Sequence, residues 1–149
     1  MKKVMFVCTG NICRSAMAEY LLKKIAKDKG KQLEISSCGT YASDGDMSTY
    51  DAIEVLKDEY GIDMKKHRAT NIINANIKNS DIILCATVNH KAFVLQMFPE
   101  LKNKVYTIKE YSGETSNLDI YDPWGCGKEA YRQCASEINQ LLNKIIDKL

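Results

Sequence analysis

The chain has 149 residues, 45% of them hydrophobic and 27% charged, with a formal net charge of +2. That length fits one domain, expected to run over 1–149, with a core large enough to need no covalent staples. The charge is too small, and its lysines too scattered, for a nucleic-acid or membrane-surface protein, so neither partner is expected.

At the N-terminus, Val4-Met5-Phe6-Val7 is a short apolar run behind two lysines. It stops short of a signal-peptide core and no small-residue cleavage site follows, so 4–7 reads as a buried first strand and the protein as cytoplasmic. After a loop, 16–29 carries Ala18, Leu21, Leu22 and Ile25 at helical spacing, with Gly30 as the stop. A second strand is expected over 33–37, a Ser-, Asp- and Gly-rich loop over 39–47, and a second helix over 48–60, stopped by Gly61. The stretch 81–86 is nearly all apolar, as in a strand covered on both faces. A helix over 88–98 meets Pro99, and a fourth strand covers 104–108. A polar loop fills 113–127. The last helix, 128–149, lines up Tyr131, Cys134, Ile138, Leu141, Leu142, Ile145 and Leu149 on one stripe. No run reaches the roughly 18 apolar residues of a membrane span.

This alternation predicts an α/β fold, a four-stranded parallel sheet with helices on both faces. Such folds bind ligands beyond the carboxyl ends of the strands, near a switch in strand order. Cys8 stands at the end of the first strand. Of the six cysteines, Cys38, Cys85 and Cys134 lie in apolar periodic segments and read as small core residues. No pair is spaced C-x-x-C, and His67 and His90 form no ligand pattern with them, so neither a metal nor a cofactor is expected.

Cys8-Thr9-Gly10-Asn11-Ile12-Cys13-Arg14-Ser15 is the segment that carries chemistry. Between a strand and a helix, its backbone N–H groups can converge into an anion nest, helped by Gly10 and Asn11, which tolerate left-handed backbone angles. The following helix aims its positive end at the same spot, and Arg14 adds a planar fork of donors suited to two phosphate oxygens. The same field stabilises Cys8 as a thiolate, the nucleophilic form, while the Ser15 hydroxyl is placed to hydrogen-bond the sulfur. Binding of a tetrahedral dianion and activation of a nucleophile thus share one arrangement.

That segment resembles the signature of the low-molecular-weight protein tyrosine phosphatases. The likeness continues through Met17-Ala18-Glu19, Ser37-Cys38-Gly39-Thr40, Gly61-Ile62-Asp63, His67-Arg68-Ala69, 81–85 and Asp122-Pro123-Trp124-Gly125. It implies the flavodoxin-like parallel fold already read from the alternation, phosphorylated proteins as substrates, and inorganic phosphate or similar oxyanions as product or inhibitor. By its residues alone Asp122 is one of several acids, Asp119 being close, and an Asp-Pro pair is usually a turn. The resemblance makes Asp122 the general acid and then the base for water, on a loop stiffened by Pro123. It also assigns Asn11, Ser15, Ser37 and His67 to a network supporting the loop, although His67, beside Lys65, Lys66 and Arg68, looks like a surface histidine by composition. Cys13 matches the family's second cysteine, which forms a reversible disulfide with the nucleophile after oxidation.

Substrate choice falls to the walls. Tyr41 and Trp124 are the candidates to flank the leaving group, with Ile12 in the floor. A deep aromatic site suits phosphotyrosine rather than phosphoserine, whose stem is short. The stretch 105–111 with Asp122-Pro123-Trp124-Gly125 looks most like a bacterial branch containing protein arginine phosphatases, where threonine replaces Ile12; isoleucine here favours phosphotyrosine. Ala16 stands where the family has proline, and Thr87 where it has aspartate. A thiol-dependent arsenate reductase shares the loop but requires two relay cysteines, and Cys85 and Cys126 are separated by another strand. A non-catalytic phosphate-binding module would lack Cys8, Arg14 or Asp122, and all three are present.

Overall fold

The computed structural model describes residues 1–149. Its parallel sheet has four strands: β1 (Lys2–Cys8), β2 (Leu33–Gly39), β3 (Ile82–Cys85) and β4 (Val105–Thr107), in the order β2-β1-β3-β4. Five helices accompany them: α1 (Arg14–Asp28), α2 (Tyr50–Tyr60), α3 (Val88–Met97), α4 (Ile108–Tyr111) and α5 (Lys128–Ile145).

Both central strands are apolar on both faces because both faces are covered. Val4, Phe6, Ile82 and Leu84 pack with α1, α2 and α5 in the larger core, which includes Met17, Leu22, Leu56, Ile138 and Leu142. Met5, Val7, Ile83 and Cys85 face the other way, into a smaller core with Cys38, Ile72, Ile77, Val94, Leu101 and Val105. The alternation is the period-2 geometry of strands, read here from a run that hydropathy alone leaves featureless. Cys38, Cys85 and Cys134 are buried, as expected, and burial drives the thiols of Cys38 and Cys134 up to about 12, so they behave as inert packing groups. No helix is long and apolar enough to cross a membrane.

Boundaries differ from the sequence reading in instructive ways. The fourth strand ends at Thr107, and Ile108 opens α4, because the Thr107 side chain accepts from the Glu110 amide while Glu110 reaches back to the Thr107 amide. The second helix, expected from 48, opens at Tyr50, because Thr49 is its N-cap, the hydroxyl accepting from the Ala52 N–H. The first helix begins two residues early, at Arg14, so Arg14 and Ser15 belong to its first turn. The strand order switches at β1, since β2 lies on one side and β3 on the other. Cys8, paired with Gly39 in the register, is the last residue of β1 at that switch.

Candidate active site

A cavity of about 200 Å³ opens at the carboxyl end of β1, lined by Cys8, Thr9, Gly10, Ile12, Cys13, Arg14, Asp122 and Trp124. A larger surface groove of about 640 Å³, between α2 and α5, is lined by Glu59, Arg132, Glu137 and other polar residues and holds none of these groups.

Five carbonyls of residues 8–13 turn outward onto protein donors. The Cys8 and Thr9 oxygens accept from the Thr40 and Tyr41 amides at 2.9 and 3.0 Å, and the Ile12 oxygen from the Thr49 amide at 3.2 Å. The Cys13 oxygen accepts from the Met17 amide at 2.8 Å, and the Asn11 oxygen from His67 Nε2 at 2.8 Å. The N–H groups of residues 9–13 have no protein partner. With carbonyls pinned out, those N–H groups are left for the cavity, which is the arrangement of an anion nest. Asn11 adopts φ 57° to turn the chain, a left-handed conformation that asparagine bears better than most residues.

Gly39 explains how the loop lies so close to β2. A Cβ there would meet the Thr9 oxygen at 2.4 Å and the Asn11 nitrogen at 2.9 Å. Only glycine admits that approach.

Beneath the loop a chain of hydrogen bonds runs to the sulfur. Glu19 Oε1, a buried carboxylate, receives the Ser37 hydroxyl at 2.5 Å. Ser37 Oγ accepts one Asn11 Nδ2 proton and Ser15 Oγ accepts the other, each at 2.8 Å. Asn11 Oδ1 is occupied by the Thr70 amide at 3.0 Å, which fixes the orientation of the side-chain amide. Ser15 thus keeps its own proton, for which Cys8 Sγ at 2.8 Å is a closer acceptor than the Cys38 carbonyl at 3.4 Å. The direction of the whole chain follows from the Glu19 and Thr70 anchors, and it ends by donating to the Cys8 sulfur. His67 is buried, as the family likeness implied, and its Nε2 must carry the proton because a carbonyl can only accept.

Arg14, 6% exposed, divides its guanidinium. Nη1 donates to the Ile120 carbonyl at 2.9 Å, and Nη2 stands 3.6 Å from Asp122 Oδ2. The Ile120 amide in turn donates to the Ala86 carbonyl at 2.9 Å, so the loop carrying Asp122 is tied at its base to the residue just past β3 and to Arg14. Asp122 itself is half-exposed, with Oδ1 accepting from the Trp124 amide at 3.1 Å. Asp119, the neighbouring acid, accepts from the Val88 amide at 2.8 Å and thereby caps α3, which leaves Asp122 as the carboxylate at the cavity. Cys13 lines the cavity too; burial pushes its thiol up, against the opposing effect of the Tyr131 hydroxyl 3.2 Å away.

Of the expected walls, Trp124 and Ile12 line the cavity. Tyr41 does not. Its backbone serves the loop, but its ring lies against Phe93, with centroids 5.6 Å apart, and it stays 74% exposed. A stripe-free loop residue gives no signal for ring direction, so its placement as a wall is corrected. Two participants have roles that the sequence did not reveal. Glu19 stood inside an α1 that appeared uniformly amphipathic. His90, buried, joins Thr9 Oγ1 at 2.8 Å through Nε2 and Thr87 Oγ1 at 2.9 Å through Nδ1; the one available signal was its spacing from Thr87 at the start of a helix.

The chain matches the family model for low molecular weight phosphotyrosine protein phosphatase over residues 3–149. It is 34% identical over 151 residues to the protein-arginine-phosphatase of Bacillus subtilis (strain 168), covering 98% of this chain and 95% of that protein. Among solved structures it resembles a low molecular weight protein tyrosine phosphatase from T. tengcongensis, with TM-score 0.94, 40% identity and all of both chains covered. It also resembles the YwlE arginine phosphatase in a cysteine-to-serine mutant whose active-site serine is phosphorylated, with TM-score 0.93, 33% identity, and 99% and 95% of the two chains covered. With the outward-pinned loop, the buried arginine and the thiol at the end of β1 all on one chain, this protein belongs to the low molecular weight phosphotyrosine protein phosphatase family.

Proposed function

We propose that the protein hydrolyses phosphotyrosine in protein substrates, through a phosphocysteine on Cys8, with Arg14 as the anion fork and Asp122 as general acid and base. The observation that carries this reading is the set of unpartnered N–H groups over residues 9–13, gathered around Cys8 with the Arg14 guanidinium behind them. Three equatorial phosphoryl oxygens fit such a nest. The Cys8 thiolate attacks phosphorus in line, the P–O bond to the leaving group breaks, and Asp122 gives its proton to the departing oxygen. Asp122, now a carboxylate, takes a proton from water as the water oxygen attacks phosphorus, and the S–P bond breaks to release phosphate and the thiolate. Positioning and preorganised charge supply most of the acceleration in such a transfer. The phosphorylated serine reported in a relative's cysteine-to-serine mutant supports the covalent step.

Trp124 and the apolar side chain of Ile12 suit an aryl leaving group. Ser15, Asn11, Ser37 and His67 hold the loop, and Cys13 is the thiol that captures oxidised Cys8 as a disulfide. A second reading, phosphoarginine as substrate, is favoured by one observation, the likeness to protein-arginine-phosphatases across nearly the whole chain. Turnover of matched phosphotyrosine and phosphoarginine peptides without added metal, with Cys8→Ser as control, separates the two. Preference for phosphotyrosine, lost in the variant, is expected; preference for phosphoarginine keeps the mechanism and replaces the substrate. Turnover of neither refutes the phosphatase reading.

A further inference from the structure

Thr9 is an exposed residue of the cavity wall, and its hydroxyl has one protein partner, His90 Nε2. A threonine hydroxyl facing a phosphate dianion helps only as a donor; turned the other way, its lone pairs repel the anion. What decides the direction is the ring behind it. We propose that His90 is a positioning residue for phosphate binding: its Nε2–H donates to Thr9 Oγ1, so that the Thr9 hydroxyl must present its own proton to a phosphoryl oxygen in the cavity.

The proton assignment follows from an inventory along the chain. Thr87 is the N-cap of α3, and its Oγ1 accepts the His90 backbone N–H at 3.1 Å. The Thr87 hydroxyl proton then has one protein acceptor within reach, His90 Nδ1 at 2.9 Å. If Thr87 donates there, Nδ1 is bare and Nε2 carries the ring's proton. The opposite tautomer makes Thr87 accept twice, leaves its proton without a protein partner, and uses the Thr9 proton on Nε2, away from the phosphate. A doubly protonated ring is disfavoured by burial and then by the Arg14 charge, which push His90 down to about 4, against weaker opposing effects of Asp119 and Asp122. One neutral ring therefore links the helix cap at Thr87 to the donor set of the phosphate loop.

The inference rests on the phosphatase reading, because it presumes a phosphoryl group in the cavity, and it is testable apart from turnover. In a long-range proton–nitrogen spectrum of the histidine-labelled enzyme near neutral pH, His90 should show a protonated Nε2 and a bare Nδ1. Inorganic phosphate is the second probe, with affinity measured by calorimetry on four variants. Thr9→Val is expected to weaken phosphate by about tenfold, the scale of one lost hydrogen bond to a charged group, and His90→Leu by roughly fivefold. The double variant should be no weaker than Thr9→Val alone, because His90 acts only through Thr9. His90→Gln, whose amide can both donate to Thr9 and accept from Thr87, should recover most of the affinity. A proton on Nδ1, or multiplied losses in the double variant, would overturn the inference and leave the phosphatase reading intact. Wild-type enzyme that binds no phosphate would overturn both.

Discussion

Replacing Gly39 with alanine tests the central claim that the phosphate loop is held from outside rather than shaped by its own residues. The added methyl would sit 2.4 Å from the Thr9 oxygen, 2.9 Å from the Asn11 nitrogen and 2.9 Å from the Ala42 methyl. Two of those three atoms are backbone of the loop, so no flexible side chain can step aside. Restoring an ordinary contact from 2.4 Å to the 3.4–4 Å range requires the loop to retreat by about 1.0–1.6 Å. Overpacking of this kind costs about 1–3 kcal/mol, and for a domain of this size each kcal/mol lowers Tm by roughly 2–4 °C. The kinetic effect should be larger than the stability effect, since a misplacement near 1 Å costs on the order of a hundredfold in rate. The assay is kcat/KM on an aryl phosphate beside a thermal melt. A variant with kcat/KM within about threefold of wild type would refute the reasoning, because it would mean that the N–H cluster does not depend on where β2 lets the loop lie.

Other outcomes follow from the same geometry. Asp122→Ala should lower kcat by about 10²–10⁴, most for substrates with poor leaving groups, whereas Asp119→Ala should leave kcat near wild type and cost about 1 kcal/mol of stability through the lost hydrogen bond to the Val88 amide. His90 binds a proton more readily when unfolded than folded, since its folded value lies down at about 4 against an ordinary 6.5. Stability should therefore be lost as pH falls from about 6.5 towards 4, by up to roughly 2–3 kcal/mol, and urea titrations should show this segment of the pH dependence missing in His90→Leu. After brief peroxide treatment, wild-type activity should return with added thiol, and in Cys13→Ser it should not. Recovery in Cys13→Ser equal to wild type would remove Cys13 from the protective role.

The sequence made the centre of the site plain for a physical reason. Cys8, Arg14 and Ser15 act through one contiguous strand–loop–helix unit, so spacing alone brings them together. Asn11 and Ser37 lie 26 residues apart and meet at 2.8 Å only because β1 and β2 pair in register. No periodicity reports such a meeting, and the family likeness was the sole guide to it. The roles of Glu19 and His90 were invisible for the complementary reason that each is a single polar residue on an otherwise ordinary helix. Tyr41 misled because an aromatic side chain on a loop carries no face. In the fold, the strand–helix alternation stood out in the hydropathy, while the short α4 did not, since its cap is a reciprocal pair between Thr107 and Glu110 and not a pattern of apolar residues.

The outward carbonyls also say where this enzyme is free to change. The cradle is tied to other elements: to the residues just past β2 through Thr40 and Tyr41, to the segment before α2 through Thr49, to 67–70 through His67 and Thr70. The Ile12 side chain and the half-open Trp124 carry no such ties, for no side-chain hydrogen bond of either is present. Mutational drift at the mouth therefore meets little resistance, whereas drift at the cradle breaks several links at once. A lineage built on this plan keeps its reaction and exchanges its clientele, which is how relatives named for two different phosphorylated residues come to share one scaffold.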